Sequence, residues 1–195
     1  MDKRNKAIGR RSLPFELREI NEEKRTGKLN FCSEEPYTRF GETEILDHSD
    51  GAVDLTRLNE IGCVLFNHNR DIVLGKVLKA WIEDNRGVAE IRFDEDEKSN
   101  EIYEKVKNKT LRGTSVGYRI KSIENVAANS VSADKRFAGP CYIARQWEPF
   151  EISIVSVPAD PTVGVSRDFE VVFDAGFSKE LAEAQIKINK NKCSL

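Results

Sequence analysis

Residues 111–120 read LRGTSVGYRI. Within them Gly113-Thr114-Ser115-Val116-Gly117 spells G-x-S-x-G, the spacing of a hydrolase nucleophile elbow. In that elbow the serine sits on a sharp strand-to-helix turn, and its partners follow in the order serine, acid, histidine. The chain has two histidines, His48 and His68, and both precede Ser115. The residues after the serine, Val116-Gly117-Tyr118-Arg119-Ile120, continue as a strand. The elbow therefore fails on order and on context.

As a strand, the stretch places Gly113, Ser115 and Gly117 on one face, because side chains alternate. Thr114, Val116, Tyr118 and Ile120 share the other face and have the character of core. The Ser115 hydroxyl then has no side chain two residues to either side. Glycine weakens a strand and marks a close approach by a ligand or another backbone. An extended peptide could lie over such a serine. A bulged strand with a packing serine is the alternative.

Working outward, most of the chain reads as short strands. Leu13–Ile20 alternates like a strand, and Lys28–Ser33 could be its neighbour, with Thr26-Gly27 in the turn between. Residues 34–53 carry Pro36, Gly41 and Gly51 and read as a polar loop. Asp54 can cap a short helix, DLTRLNEI, that stops at Gly62. Cys63–Asn67 is an apolar run ending at His68. Val73–Glu83 and Val88–Asp94 read as a hairpin across Asp84–Gly87.

Ser99 caps a predicted helix, NEIYEKVKN, with Ile102, Tyr103 and Val106 on one face. Residues 125–139 are small and polar, a long loop or flexible flap. Tyr142–Trp147 and Phe150–Val157 read as two further strands, stopped by Pro158 and Pro161. Beyond residue 168 an apolar FEVVF precedes a helix from Ser178 and a basic end. Strand–helix alternation is missing. The pattern predicts an α+β fold on a mostly antiparallel sheet or barrel, not a doubly wound sheet.

Composition narrows the function. The 195 residues carry 31 Lys and Arg against 33 Asp and Glu, a formal net charge of −2. That balance argues against a general nucleic-acid or anionic-membrane binder. Lys3, Arg4, Lys6, Arg10 and Arg11 make the start basic, which reads as a solvated terminus rather than a binding arm. No stretch approaches the roughly 18 apolar residues of a membrane span, and no signal-peptide core is evident. The four cysteines, Cys32, Cys63, Cys141 and Cys193, form no C-x-x-C pair, so a disulfide framework or zinc knuckle is not expected. The expectation is an intracellular, reduced protein.

Nucleophilic serine needs a base within hydrogen-bond reach and a third group that orients the base. His68, at the mouth of an apolar run, suits the base better than His48, which lies in the turn-like LDHSDG. Asp71, Asp94, Glu148 and Glu151 all qualify as the acid. Glu151 stands out because it interrupts an apolar strand, FEISIVSV, where a carboxylate requires a partner. A thiol nucleophile, Cys63 or Cys141 with His68, is a rival. Cys63 lies in an apolar run and reads as core.

Several blocks in order resemble the prohead (capsid maturation) serine proteases of tailed bacteriophages, relatives of the herpesvirus assemblins. They are LPFELR (13–18), LFNHNRDIVLGKV (65–77), LRGTSVGYRI (111–120) and WEPFEISIVSVPADP (147–161), and the resemblance covers about residues 11–165. Tyr118 stands where phenylalanine is common in the family, and Asp160 where asparagine is common. Carried over residue by residue, the resemblance implies His68 as catalytic histidine, Ser115 as nucleophile and Glu151 as third member. Glu148 and His48 remain alternatives for that third place.

The same resemblance implies a small β-barrel wrapped by a few helices, with no cofactor and no metal. It implies a major capsid protein or scaffold segment as substrate, self-cleavage, and action in the host cytoplasm inside the assembling procapsid. Self-association as a dimer fits it; nucleic acid and membrane are not expected partners. The expected organisation is a basic flexible N-terminus over 1–10, a protease domain over 11–168 and a C-terminal tail or helix over 169–195. A non-catalytic capsid-associated scaffolding protein of the same fold is the rival reading.

Overall fold

The structure, a computed structural model, describes residues 8–14, 18–39 and 41–157. Its elements run β1 (Ile8–Pro14), β2 (Arg18–Asn21), β3 (Thr26–Ser33), β4 (Tyr37–Arg39), β5 (Glu42–Leu46), α1 (Thr56–Ile61), β6 (Cys63–Phe66) and β7 (Asn69–Glu83). They continue with β8 (Arg86–Phe93), α2 (Glu97–Lys107), β9 (Gly113–Val126) and β10 (Cys141–Val155). The division at residues 10 and 168 stays a proposal. The tail 169–195, with its expected helix, lies outside the described residues, as do Pro158 and Pro161.

The strands form one sheet in the order β1-β9-β10-β6-β7-β8-β3-β2, with the β4–β5 hairpin attached to β10 through β5. Most pairs are antiparallel; β10 pairs in parallel with β5 and with β6. The sheet curls back on itself, and the Thr114 hydroxyl on β9 donates to the carbonyl of Asn30 on β3 at 2.9 Å. Those strands are far apart in sheet order, so the contact marks where distant parts of one sheet meet. The result is mostly β, a curled half-barrel with two helices among the described residues.

The concave side holds the core. Leu29, Phe31, Ile91, Phe93, Val116, Tyr118, Ile120, Trp147, Ile152 and Ile154 are buried there. Ile102, Tyr103 and Val106 of α2 join them, as the one-sided apolar pattern predicts. The face of β9 carrying Val116, Tyr118 and Ile120 is thus the core face. The other face of β9 is covered as well, since Gly113, Ser115 and Gly117 are also buried.

Several local expectations are corrected. Within Leu13–Ile20 the described residues belong to two strands with different partners, Leu13 and Pro14 to β1 on β9 and Arg18–Ile20 to β2 on β3. Thr26 and Gly27 belong to β3, and the turn is Glu22–Arg25, with Arg25 at φ 54°. Residues 34–53 contain β4 and β5, whose strand character depends on pairing with β10. The cap of α2 is Asp96, which accepts from the N–H groups of Lys98 and Ser99 at 3.1 and 3.0 Å; Ser99 lies inside the helix. The two strands expected over 142–157 are one, β10, bent by register shifts between Ala144 and Glu151.

The loop 127–139 is tied down. Arg145 on β10 meets Asp47 and Asp134, each at 2.7 Å, and Glu124 at 2.5 Å. Arg136 within the loop meets Asp47 at 2.7 Å and Glu34 at 2.8 Å. The expectation of a flexible flap missed this network, whose partners are up to 102 residues apart.

Candidate functional site

Three neighbouring elements converge on one point. β9 carries Ser115, β10 carries Glu151, and the turn between β6 and β7 carries His68. Ser115 pairs in register with Ser153, and Gly117 with Glu151. Residues at i and i+2 share a strand face, so Ser115, Gly117, Glu151 and Ser153 face the same way.

His68 is not on a strand, as the apolar run before it suggested. Phe66 pairs with Asn69 across a two-residue turn in which Asn67 and His68 have φ 52° and 58°. Positive φ at both central residues is the signature of a type I′ hairpin turn. Asparagine and histidine are among the non-glycine residues that tolerate it best. The turn is fastened to β10 on both sides. The Asn67 N–H donates to the carbonyl of Ile154 at 2.9 Å, and the Ser156 N–H donates to Asn67 Oδ1 at 2.9 Å.

The imidazole therefore reaches back over β9 and β10. His68 Nδ1 lies 2.6 Å from Glu151 Oε1, and His68 Nε2 lies 2.7 Å from Ser115 Oγ. A carboxylate only accepts, so Nδ1–H donates to Glu151 and Nε2 accepts from the serine hydroxyl. The His68 and Glu151 side chains are 8% and 7% exposed, and Ser115 is fully buried. Ser153 completes the group: its hydroxyl donates to Glu151 Oε2 at 2.7 Å and accepts from the His68 backbone N–H at 3.1 Å.

The alternatives lie elsewhere. Glu148 is paired with Lys121 at 3.1 Å. The buried His48 donates from Nδ1 to the carbonyl of Leu46 at 2.8 Å, and its Nε2 sits 3.0 Å from Cys32 Sγ. Both ring nitrogens of His68 are engaged by Ser115 and Glu151. Burial pushes the Cys63 thiol up, and the charge of Glu151 adds to it. Burial likewise raises the Cys141 thiol, with Glu124 adding and Arg145 opposing. Neither sulfur is arranged as an activated thiolate.

Among the described residues no cluster of His, Cys, Asp and Glu is arranged to hold a metal ion. No helix among them is long and apolar enough to cross a membrane. Sequence reasoning missed Ser153, although its i+2 spacing from Glu151 puts both on one strand face. It also missed why position 117 is glycine.

The model of one protein family, described as caudovirus prohead serine protease, matches residues 39–174. The chain belongs to that family. The match spans the turn with His68 and both strands that carry Ser115 and Glu151. A protein of Halomonas phage phiHAP-1, named Major capsid protein, is 37% identical over 143 residues. The matched part is 71% of this chain and 23% of that relative, so the chain spans under a quarter of its length. No solved structure matches.

Proposed function

We propose that the protein is a prohead maturation endopeptidase in which Ser115 is the nucleophile, His68 the general base and Glu151 the group that orients the base. The observation that carries this reading is the continuous chain Ser115 Oγ–His68 Nε2 and His68 Nδ1–Glu151 Oε1, at 2.7 and 2.6 Å. These are the roles and contacts that serine acyl transfer needs.

In the proposed reaction Nε2 takes the Ser115 proton as Oγ bonds to a peptide carbonyl carbon. Glu151 holds the imidazolium that forms. The tetrahedral intermediate expels the amine, which leaves with the proton from Nε2. Water, deprotonated by the same nitrogen, then attacks the ester, and Ser115 recovers its proton. Backbone N–H groups suffice to hold the oxyanion.

The substrate in this proposal is a capsid protein or its scaffold segment, cut inside the assembling procapsid. Membership of a prohead protease family and likeness to a phage protein named for the capsid support it. The assemblin-like barrel, dimerisation, self-cleavage and a separable tail over 169–195 belong to the same proposal. A non-catalytic capsid-associated role of the same fold is the second reading, and the complete burial of Ser115 favours it.

Incubation with the cognate capsid protein, followed by intact mass, separates the two readings. Fragments from the wild type and none from Ser115→Ala support the protease and locate its cuts, including any in its own tail. No fragments from either chain favour the second reading. Equal fragments from both remove Ser115 as nucleophile.

A further inference from the structure

The carboxylate of Glu151 has two oxygens, and His68 uses only Oε1. Oε2 is held by Ser153, which is itself fully buried. A serine hydroxyl has one proton and two acceptor lone pairs. A carboxylate can only accept and a backbone N–H can only donate, so the directions are fixed. The Ser153 proton goes to Glu151, and a Ser153 lone pair receives the N–H of His68, at 3.1 Å.

We propose that Ser153 is a positioning residue for the reaction: one hydroxyl locks the rotation of the Glu151 carboxylate and ties it to the backbone of the turn that carries His68. The inference rests on the protease reading above. It follows from two needs that the other contacts leave unmet. Without Oε2 held, the carboxylate can turn about its terminal torsion, which is broad and roughly two-fold. The His68 backbone adopts φ 58°, a conformation that persists only when its surroundings hold it. The Asn67 hydrogen bonds to Ile154 and Ser156 fix the first turn residue, and Ser153 fixes the second. Because Ser153 pairs in register with Ser115, the same position also lies beside the proposed nucleophile.

The test compares Ser153→Val with Ser153→Thr. The two side chains have the same shape and crowd the site equally, so they differ only in the hydroxyl. Ser153→Ala adds no atoms and covers the case in which neither larger residue is accommodated. Loss of positioning should lower kcat about 10- to 100-fold in the Val and Ala variants, with KM unchanged. Ser153→Thr should recover most of that loss. The downfield proton resonance of His68 Nδ1–H should shift or broaden in Val and Ala and persist in Thr.

Wild-type kcat in Ser153→Ala, equal kcat in Val and Thr variants that unfold at the wild-type temperature, or an unchanged resonance in Val and Ala overturns the role of Ser153. Ser115→Ala runs alongside. If it cleaves as fast as wild type, Ser115 is not the nucleophile and the serine mechanism on which the inference rests fails. The His68 resonance still decides whether Ser153 positions the pair, because that signal needs no turnover.

Discussion

A Cβ built on Gly117 would lie 2.3 Å from Oε1 of Glu151, the oxygen that meets His68, and 2.8 Å from Cε2 of Phe150. The second glycine of G-x-S-x-G therefore has a purpose unrelated to a nucleophile elbow. It leaves the face of β9 bare beside Ser115, so that the carboxylate of β10 can lie flat over the backbone. Gly117→Ala forces the carboxylate or the Phe150 ring aside. We expect kcat to fall about 100-fold in a chain that still folds, checked by steady-state kinetics beside thermal unfolding. Wild-type turnover would mean that Glu151 can move without consequence.

Glu151→Gln keeps the shape of the side chain and removes its charge. The amide can present its NH2 to Nδ1 and so favour the wrong imidazole tautomer. On the proposed mechanism kcat falls about 10⁴-fold. Glu148→Gln, which loses only the contact with Lys121, should cleave near the wild-type rate. The reverse order between the two variants would return the third role to Glu148.

The loop 127–139 should be ordered by Arg145, which contacts Asp47, Asp134 and Glu124. Arg145→Ala leaves the Asp47 carboxylate, 3% exposed, with Arg136 as its remaining guanidinium partner. The expected cost is about 1–2 kcal/mol of stability, less than for a buried charge left wholly unpaired, because Arg136 still faces Asp47. Amide exchange followed by mass spectrometry should show faster exchange across 127–139. Unchanged exchange would show that the loop is held by something else.

Asp47 also predicts an acid limb of stability. Burial opposes its charge, but hydrogen bonds from Arg145, from the Ser49 backbone and side chain, and from Arg136 outweigh it and lower the carboxyl from 3.8 to about 2. A depressed folded pKa means that the stabilisation is present above the unfolded value and is lost as pH falls through the folded one. The window is therefore pH 3.8 down to about 2, and the contribution is about 2 kcal/mol. Urea unfolding across that range should show a shallower pH slope for Asp47→Asn than for wild type. Equal slopes would contradict the assignment.

How much of this was legible depended on where the deciding partner lies. The β7–β8 hairpin was readable because both strands alternate locally and turn at Asp84 and Asn85, with φ 49° and 55°. The apolar face of α2 was readable from the spacing of Ile102, Tyr103 and Val106. β5 was not, because Glu42–Leu46 becomes a strand by pairing with β10, about a hundred residues away. His68 was read as the end of a strand because Asn-His lacks the glycine that usually signals a type I′ turn. Ser153 was passed over because a serine in an apolar strand looks like packing until Glu151 and the His68 N–H are seen around it. His68, Ser115 and Glu151 were singled out by chemistry and by resemblance, but their convergence needed the register of β9 against β10.

On the proposed mechanism Ser115 is an activated nucleophile despite its burial. The most direct measurement is the site and rate of covalent labelling by a fluorophosphonate, read by intact mass and peptide mapping in wild type, His68→Ala and Ser115→Ala. A single adduct on Ser115 is expected in the wild type, with labelling slowed by orders of magnitude in His68→Ala and none at position 115 in Ser115→Ala. A wild-type chain whose Ser115 labels no faster than in His68→Ala would contradict it.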